Sequence, residues 1–316
     1  MHQPTKDHLR RHVDSLRHDP ARLFAGLLDP ALVEDALLGE RVRWRDCVYT
    51  LCVTLWAFLG QVLCPDHSCR AAVARLIVAL VARGEAPCSA DTGPYCKARR
   101  RLPVGVLSRL ARRLGKDLDG RAPADLHFKR RRILLVDGTT VSMPDTEENQ
   151  RAFPQSRAQK PGLGFPLARL VAVISLATGA VRDTAIGPWR GKRTGEMALF
   201  RSLWDGLESG QVVVGDRYLA SFFTIASLGG RGVDVVFRMH HGRKVDFRRG
   251  TRLGVLDHVV NWNKPACPDW MDRATYDGLP GQLAVRELKV KVEQVGFRVD
   301  ELVLATTLLD GVSFQG

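Results

Sequence analysis

The chain has 316 residues, which is long enough for two or three domains, and 45% of them are hydrophobic, as in ordinary soluble globular proteins. No charge-free apolar stretch reaches about eighteen residues, and the first twenty residues lack the apolar core of a secretory signal, so we expect a cytoplasmic protein without membrane spans. The net charge of +13 favours a polyanionic partner, although a solvated basic surface would produce the same total.

Basic residues are concentrated in one segment. Between Lys97 and Arg132 there are thirteen Lys and Arg residues against three Asp residues, a difference of +10. Such clustering favours contact with a nucleic acid over an evenly solvated surface.

The seven cysteines do not suggest a disulfide framework, because their number is odd and no secretory signal precedes them. Cys64, His67 and Cys69 lie close together, but they lack the Cys-x2-Cys spacing of a structural zinc site. Buried free thiols in a helical core are the expectation.

The first 125 residues show helical periodicity. The predicted helices span residues 30–38, 46–63, 67–83, 89–101 with Ser89 as the cap, and a last helix opened by Pro103. Short helices joined by tight turns, with arginines at the end of one helix, favour a small DNA-binding domain. A plain helical bundle remains the alternative.

From residue 126 the pattern changes to alternating strands and helices. Strands are predicted at 132–137, 167–177, 180–186, 211–216 and 233–237, and helices at 194–207 and 221–228. The turn Thr178-Gly179 predicts that the second and third strands form a hairpin. This order indicates a mixed α/β architecture, interrupted by an irregular, strand-rich segment from 240 to 290.

Asp137 and Asp216 each end an apolar strand. If the two strands are neighbours, both carboxylates point into one cleft at the carboxyl edge of the sheet, where ligands bind in open α/β sheets. Carboxylates placed in this way hold Mg²⁺, a hard cation that prefers oxygen ligands. The alternative is that each Asp caps the turn that follows its strand.

At these residues the sequence resembles the DDE transposases of bacterial insertion sequences, in the group that includes insertion element four. The matching runs include LLVDGTTVSMPDTEENQRAFPQSRAQKPGLGFPLARLVAVISLATGA, PWRGKRTGEMALFRSL, VVVGDRYLASFF and GVDVVFRMHHGRKVDFRRGTRLG, and PYCKARRRLP matches further upstream. The resemblance implies an α/β fold with a ribonuclease-H-like mixed sheet at 126–239, preceded by an all-helical DNA-binding domain at 1–125. It also implies a β-rich insertion at 240–290 and a return to the core at 291–316.

The resemblance also implies the chemistry. Asp137 and Asp216 correspond to the first and second catalytic acids, with Mg²⁺ as the cofactor and Mn²⁺ as a substitute. The family cuts one strand at each end of the element, and the freed 3′-hydroxyl attacks the other strand or the target DNA. The implied partners are the terminal repeats, target DNA and a second copy in a homodimer, in a nucleoid-associated protein.

The family's third acid is a Glu in a Tyr-x2-Arg-x3-Glu-x6-Lys signature, and this signature does not occur before Gly316. The expectation is therefore a truncated chain that binds DNA but cleaves it weakly or not at all. Glu196 is a candidate substitute for the third metal ligand, although a Glu in a first helical turn is also favoured by the helix dipole alone. Asp310 is a weaker candidate.

The predicted phosphate contacts come from basic side chains, each of which has exposed surface charge as its alternative. They are Arg99, Arg100, Arg101, Lys129, Arg130, Arg190, Lys192, Arg217, Arg238, Arg243 and Lys244, with Arg131, Arg132, Arg248 and Arg249 nearby. For Trp262 and Trp270 the alternatives are stacking on a displaced base and a buried structural role.

Three competing interpretations remain at this stage. The first is a metal nuclease on the same fold that uses Glu196. The second is a non-catalytic DNA-binding remnant that occupies element ends or inhibits an intact transposase. The third is a pseudogene product that folds poorly.

Overall fold

The computed structural model describes residue 36 and residues 47–160, 162–240, 242–292 and 301–310. The chain divides into two compact units, Met1–Leu114 and Gly115–Gly316. The division falls before the boundary expected near residue 125, and the domain ranges given above stay predictions. The helix predicted at 30–38 lies outside the described residues apart from Ala36.

Four helices occupy the described part of residues 47–120. They are α1 (Leu51–Leu63), α2 (Cys69–Ala82), α3 (Gly93–Arg100) and α4 (Val104–Gly120). None of the helices in the described ranges combines the length and the apolar character that a membrane crossing requires.

Hydroxyl caps set where the first two helices begin. The Thr50 side chain accepts a hydrogen bond from the backbone of Val53, and the Ser68 side chain accepts one from Ala71. The predicted cap Ser89 was wrong, because α3 begins at Gly93 and Ser89 instead accepts a hydrogen bond from the backbone of Asp91. Local side-chain bonds of this kind stabilise a turn as readily as a helix start.

The described residues of the second unit form a nine-stranded sheet in the order β3-β2-β1-β4-β5-β9-β8-β7-β6. The strands are β1 (Ile133–Ser142), β2 (Leu167–Ser175), β3 (Val181–Pro188), β4 (Val212–Gly215), β5 (Asp234–Arg238), β6 (Thr251–Gly254), β7 (Asp257–Asn263), β8 (Gln282–Lys291) and β9 (Glu301–Thr306). Four further helices are α5 (Glu147–Ala152), α6 (Glu196–Arg201), α7 (Phe222–Gly229) and α8 (Arg273–Gly278). The mixed α/β architecture predicted from the sequence is confirmed.

Strands β1, β4 and β5 run parallel, and the other pairs are antiparallel. The predicted hairpin between β2 and β3 is confirmed, with Gly179 of its turn at a φ of 69°. The helix predicted at 194–207 is shorter, because α6 ends at Arg201 and a 3₁₀ turn at Trp204–Gly206 follows. The strands of residues 251–291 continue the same sheet beyond β9.

The main core lies on one face of this sheet. Val136, Val213 and Phe237, on β1, β4 and β5, are at most 3% exposed and pack with residues of α6 and α7. Side chains alternate between the two faces of a strand, so the intervening residues Leu135 and Val214 face the other side and are only partly buried. Burying each large apolar side chain stabilises the fold by about 1.5–3 kcal/mol.

A buried network of charged side chains lies near the amino-terminal end of β1. The carboxylate of Asp119 accepts hydrogen bonds from the guanidinium of Arg182 and, at 2.5 Å, from the hydroxyl of Ser175. Arg132 lies 3.8 Å from Asp119, and Arg132 and Arg182 also approach the carboxylate of Glu208. The last turn of α4 is thereby tied to β2 and β3.

Replacing Asp119 with Ala should leave the Arg182 guanidinium buried without its principal partner, because both side chains are shielded from water. We expect the free energy of unfolding in urea to fall by about 3–5 kcal/mol. The matched control is D205A, since Asp205 is 94% exposed in its ion pair with Arg231 and should lose no more than about 1 kcal/mol. Equal losses in the two variants would contradict a structural role for the network.

Candidate active site

Asp137 and Asp216 follow directly on paired residues of two parallel strands. The register of β1 and β4 runs from Ile133 opposite Val212 to Val136 opposite Gly215, and the next residue on each strand is an Asp. The backbone at Asp216 is still extended, with φ −72° and ψ 170°. Neighbouring strands lie about 4.7–4.9 Å apart, so the two aspartates are adjacent across the sheet.

The two carboxylates also share a face. Val136 and its register partner Gly215 face the core, so the residues that follow them, Asp137 and Asp216, face the opposite side. On β5, Phe237 pairs with Gly215 and is fully buried, which places Arg238 beside Asp216 on that same side. Two carboxylates and one guanidinium thus form a row across three parallel strands, at the carboxyl ends of β4 and β5 and in the middle of β1.

Each carboxylate retains an oxygen for a ligand. The Oδ1 atom of Asp137 accepts a hydrogen bond from the backbone of Gly138 at 2.9 Å, and that of Asp216 accepts one from Arg217 at 2.5 Å. Both side chains are exposed, and within the described ranges their Oδ2 atoms accept no hydrogen bond. This donor set fits Mg²⁺, which is typically bound by one or two carboxylates together with water and substrate phosphates.

Glu196 lies against Gly138, the residue after Asp137, on the other face of β1. A Cβ atom at Gly138 would lie 2.7 Å from Cδ of Glu196, so the glycine makes room for this carboxyl group. Gly138 pairs with the buried core residue Val171, which places the contact on the core face of β1. In the part of the chain that the structure describes, no three Asp, Glu, His or Cys residues form a group able to hold a metal ion.

The three arginines at the end of α3 differ in their surroundings. Arg99 donates a hydrogen bond to Oε1 of Gln61 at 3.0 Å, and the hydroxyl of the buried Tyr95 donates to the same atom at 2.6 Å. Arg99 is therefore engaged in the packing of the helical unit. Arg100 and Arg101 are exposed and stay our predicted phosphate contacts from this helix.

Lys129 and Arg130 form the exposed tip of a tight turn, with φ angles of 51° and 64°. The turn precedes β1, so it lies at the amino-terminal end of that strand, away from Asp137. The neighbouring Arg131 donates hydrogen bonds to the carboxylate of Asp234 at 2.5 Å and to the carbonyl of Gly210 at 2.9 Å. The structure therefore does not bring this predicted basic cluster to the two aspartates.

Four other predicted contact residues do lie at the carboxyl edge. Arg190 and Lys192 are exposed just beyond the end of β3. The last residue of β3, Pro188, pairs with Ala168 on β2, which in turn pairs with Val141 near the carboxyl end of β1. Arg217 and Arg238 flank Asp216 from its own loop and from β5. These cations would attract a phosphodiester to the carboxylates.

Trp262 is buried in the strand-rich segment, at 5% exposure, and its indole nitrogen donates a hydrogen bond to Glu287 at 2.8 Å. The guanidinium of Arg243 lies over its ring, 3.6 Å from the centroid, and burial lowers the pKa of this Arg. These contacts favour the structural role for Trp262. Lys244, the residue after Arg243, is exposed. An arginine also lies over the ring of Trp270, where the guanidinium carbon of Arg201 is 3.9 Å from the ring centroid.

Tyr218 was not singled out from the sequence. It is 57% exposed, two residues beyond Asp216, and its ring centroid lies 6.2 Å from that of His240. The available signal was an aromatic residue directly after the Asp216-Arg217 pair, but its exposure depends on a 3₁₀ turn that periodicity does not reveal.

Residues 128–297 match a family described as "Transposase DDE domain", and the chain belongs to this family. The matched range includes β1, β4 and both aspartates. The resemblance to DDE transposases is thereby confirmed.

The chain is similar to the transposase InsG of insertion sequence element IS4 from Escherichia coli (strain K12), with 25% identity over 307 residues. The similarity covers 96% of this chain and 65% of the relative, so the chain spans just under two thirds of that protein's length. Among solved structures, endonuclease V of Bacillus subtilis aligns with 64% of this chain and 77% of its own. That alignment has 13% identity and a TM-score of 0.27, which is too low to support an argument.

Replacing Arg99 and replacing Arg100 should have different effects, the first on stability and the second on DNA binding. R99A should lower the free energy of unfolding of the helical unit by about 1.5–3 kcal/mol, because it removes a charged hydrogen bond from a partly buried network. R100A should change stability by less than about 0.5 kcal/mol. It should instead weaken DNA binding and reduce the slope of log affinity against log salt by about 0.9. Urea unfolding and salt titrations would check both, and a reversed pattern would contradict these assignments.

Proposed function

We propose that the chain cleaves and joins DNA at the ends of an insertion sequence, with Asp137 and Asp216 as the ligands of Mg²⁺ or Mn²⁺. The observation that carries this proposal is the parallel register of β1 and β4, which brings the two carboxylates together on one face. Membership of the transposase DDE domain family supports it.

The fold proposed for residues 126–239 is ribonuclease-H-like. The strand order β3-β2-β1-β4-β5, with β1, β4 and β5 parallel and the first three strands forming an antiparallel meander, supports this proposal. We further propose that residues 1–125 bind DNA and that residues 240–290 are an insertion.

The proposed roles follow from position. Asp137 and Asp216 would hold the ion, and the backbone amides of Gly138 and Arg217, which donate hydrogen bonds to them, keep each carboxylate oriented. The bound ion would activate the attacking oxygen and stabilise the leaving one. Arg217 and Arg238 neutralise the phosphate beside it.

More distant cations add to the same field. The proposed DNA contacts at the carboxyl edge include Arg190 and Lys192, which are both exposed. Phosphate contacts of this kind make the affinity for DNA steeply dependent on salt. The proposed partners are the element's terminal repeats, target DNA and a second copy of the chain, and the proposed location is the bacterial nucleoid.

A second candidate function is DNA binding without efficient cleavage, at element ends or in competition with an intact transposase. The described residues bring only two carboxylates together on the site's face, and no group of three potential metal ligands occurs among them. Two carboxylates leave the charge and the geometry of the metal site incomplete. Glu196 is a weak substitute, because it contacts the core face of β1 at Gly138.

Plasmid nicking tests these alternatives. We expect the 316-residue polypeptide with Mn²⁺ to bind a supercoiled plasmid that carries the element ends, which slows the plasmid in gel electrophoresis. We also expect it to nick the plasmid slowly. D137N and D216N should bind the plasmid but lower nicking to the protein-free level, because each removes a charged metal ligand. D269N, which changes an exposed Asp in the strand-rich segment, is the matched control.

The outcomes separate the candidate functions. Nicking by D137N at the wild-type rate would contradict the proposed site. Fast nicking that E196Q abolishes would favour a nuclease that uses Glu196. Tight binding with no nicking above background, even for the unaltered chain, would favour the non-catalytic function.

A further inference from the structure

Two cysteines from different helices are in contact in the helical unit. Cys69 is the first residue of α2 and Cys96 lies on α3, and their Sγ atoms are 3.6 Å apart. Both side chains are partly exposed, whereas that of Cys64 is buried, so a small oxidant in solution has access to the pair. Two thiols in contact, unlike a single one, meet the first requirement for a disulfide.

The buried side chain of Gln61, on α1, contacts both helices that carry the two thiols. Its amide nitrogen donates a hydrogen bond to Sγ of Cys69 at 3.7 Å. Its Oε1 atom accepts hydrogen bonds from Tyr95, the residue before Cys96, and from Arg99, one turn later on α3. Gln61 is 6% exposed, so these bonds are shielded from water and hold the starts of α2 and α3 next to each other.

Little movement separates the two thiols from a covalent bond. The S–S distance in a disulfide is about 2.05 Å, so the two sulfur atoms need to approach by about 1.5 Å, which a rotation of the two Cys side chains supplies. Cys69 and Cys96 are 27 positions apart in the sequence. A bond that closes a loop of this length restricts the unfolded chain and therefore stabilises the folded one.

We propose that Cys69 and Cys96 are an oxidation site, at which a peroxide converts the two thiols into a disulfide that fixes α3 against α2. Arg100 ends α3 and Arg101 caps it, so the disulfide restrains the helix that presents these exposed cations. Disulfides in reducing compartments are usually transient and redox-sensing. At this site the oxidation state sets the stability of the helical unit, independently of the two aspartates and of any DNA chemistry.

Hydrogen peroxide is the only other reactant that the oxidation needs. One thiolate attacks a peroxide oxygen, which forms a sulfenic acid and releases hydroxide. The second thiol attacks the sulfenic sulfur, the S–S bond forms and water leaves, so the two thiols lose two electrons and peroxide is reduced to water. Burial and the hydrogen bond with Cys69 raise the pKa of the Cys96 thiol, which therefore stays protonated at neutral pH. Because the thiolate is the nucleophile, Cys69 attacks the peroxide and Cys96 closes the bond.

The test is peptide mapping of the full chain after brief treatment with hydrogen peroxide. Free thiols are blocked with iodoacetamide, the chain is digested without reductant, and tandem mass spectrometry locates the linked residues. We expect a peptide pair joined through Cys69 and Cys96, which is lighter by two hydrogen atoms and which dithiothreitol separates. The oxidised chain should also melt at least about 4 °C above the reduced chain, because the disulfide restricts the unfolded state.

Serine variants separate this pair from the other thiols. C69S and C96S should each abolish the linked peptide and the rise in melting temperature. C47S and C88S are the matched controls, since Cys47 is the exposed cysteine of this unit and Cys88 lies between the two partners in the sequence. Both controls should keep the linked peptide and the rise in melting temperature.

Three results would overturn the oxidation site. The first is a peroxide-treated wild-type chain in which Cys69 and Cys96 still react fully with iodoacetamide. The second is cross-linking that follows exposure alone, with Cys47 in the disulfides and the pair still reduced. The third is a linked pair that leaves the melting temperature unchanged, because the bond would then not restrain the helical unit. The mapping uses the unaltered chain, so its outcome does not depend on how well the variants fold.

Discussion

The pairing of β1 with β4 is the constraint on which the account of this protein depends. Parallel strands in this register place Asp137 beside Asp216, and the alternation of side chains turns both away from the core. A slip of one residue would move Asp137 to the core face, where a charged carboxylate is costly to bury. The buried side chains of Val136 and Val213 fix the register, so the packing of the core and the geometry of the site have the same cause.

The positive charge of the chain serves two purposes. Part of it is used internally, since Arg182 neutralises the buried Asp119, Arg131 pairs with Asp234 and Arg99 donates to Gln61. Another part is exposed at the carboxyl edge, around the aspartates. A count of basic residues along the sequence does not distinguish the internal ones from the exposed ones. A guanidinium binds a buried carboxylate and an external phosphate with the same hydrogen-bond geometry.

The sequence was sufficient to predict the α/β architecture, the hairpin between β2 and β3 and the position of Asp216 at the end of its strand, because these follow from local periodicity and turn chemistry. The prediction that Asp137 also ends its strand was wrong, because β1 continues to pair with β2 as far as Ser142. Other features depend on contacts between distant segments. Local pattern does not show that Glu196 lies against Gly138, or that Arg131 pairs with Asp234. The exposure of Tyr218 was missed because it depends on a local 3₁₀ turn, which periodicity does not reveal. Family resemblance supplied the expected roles of the aspartates, and the register supplied a physical reason for them.

The most direct test of the shared site is an anomalous X-ray difference map from crystals of the chain soaked in Mn²⁺. The account predicts a peak on the solvent-facing side of the sheet, within coordinating distance of the carboxylates of both Asp137 and Asp216. Side chains that point to opposite faces of the sheet, or a metal ion bound at full occupancy by other residues alone, would contradict it.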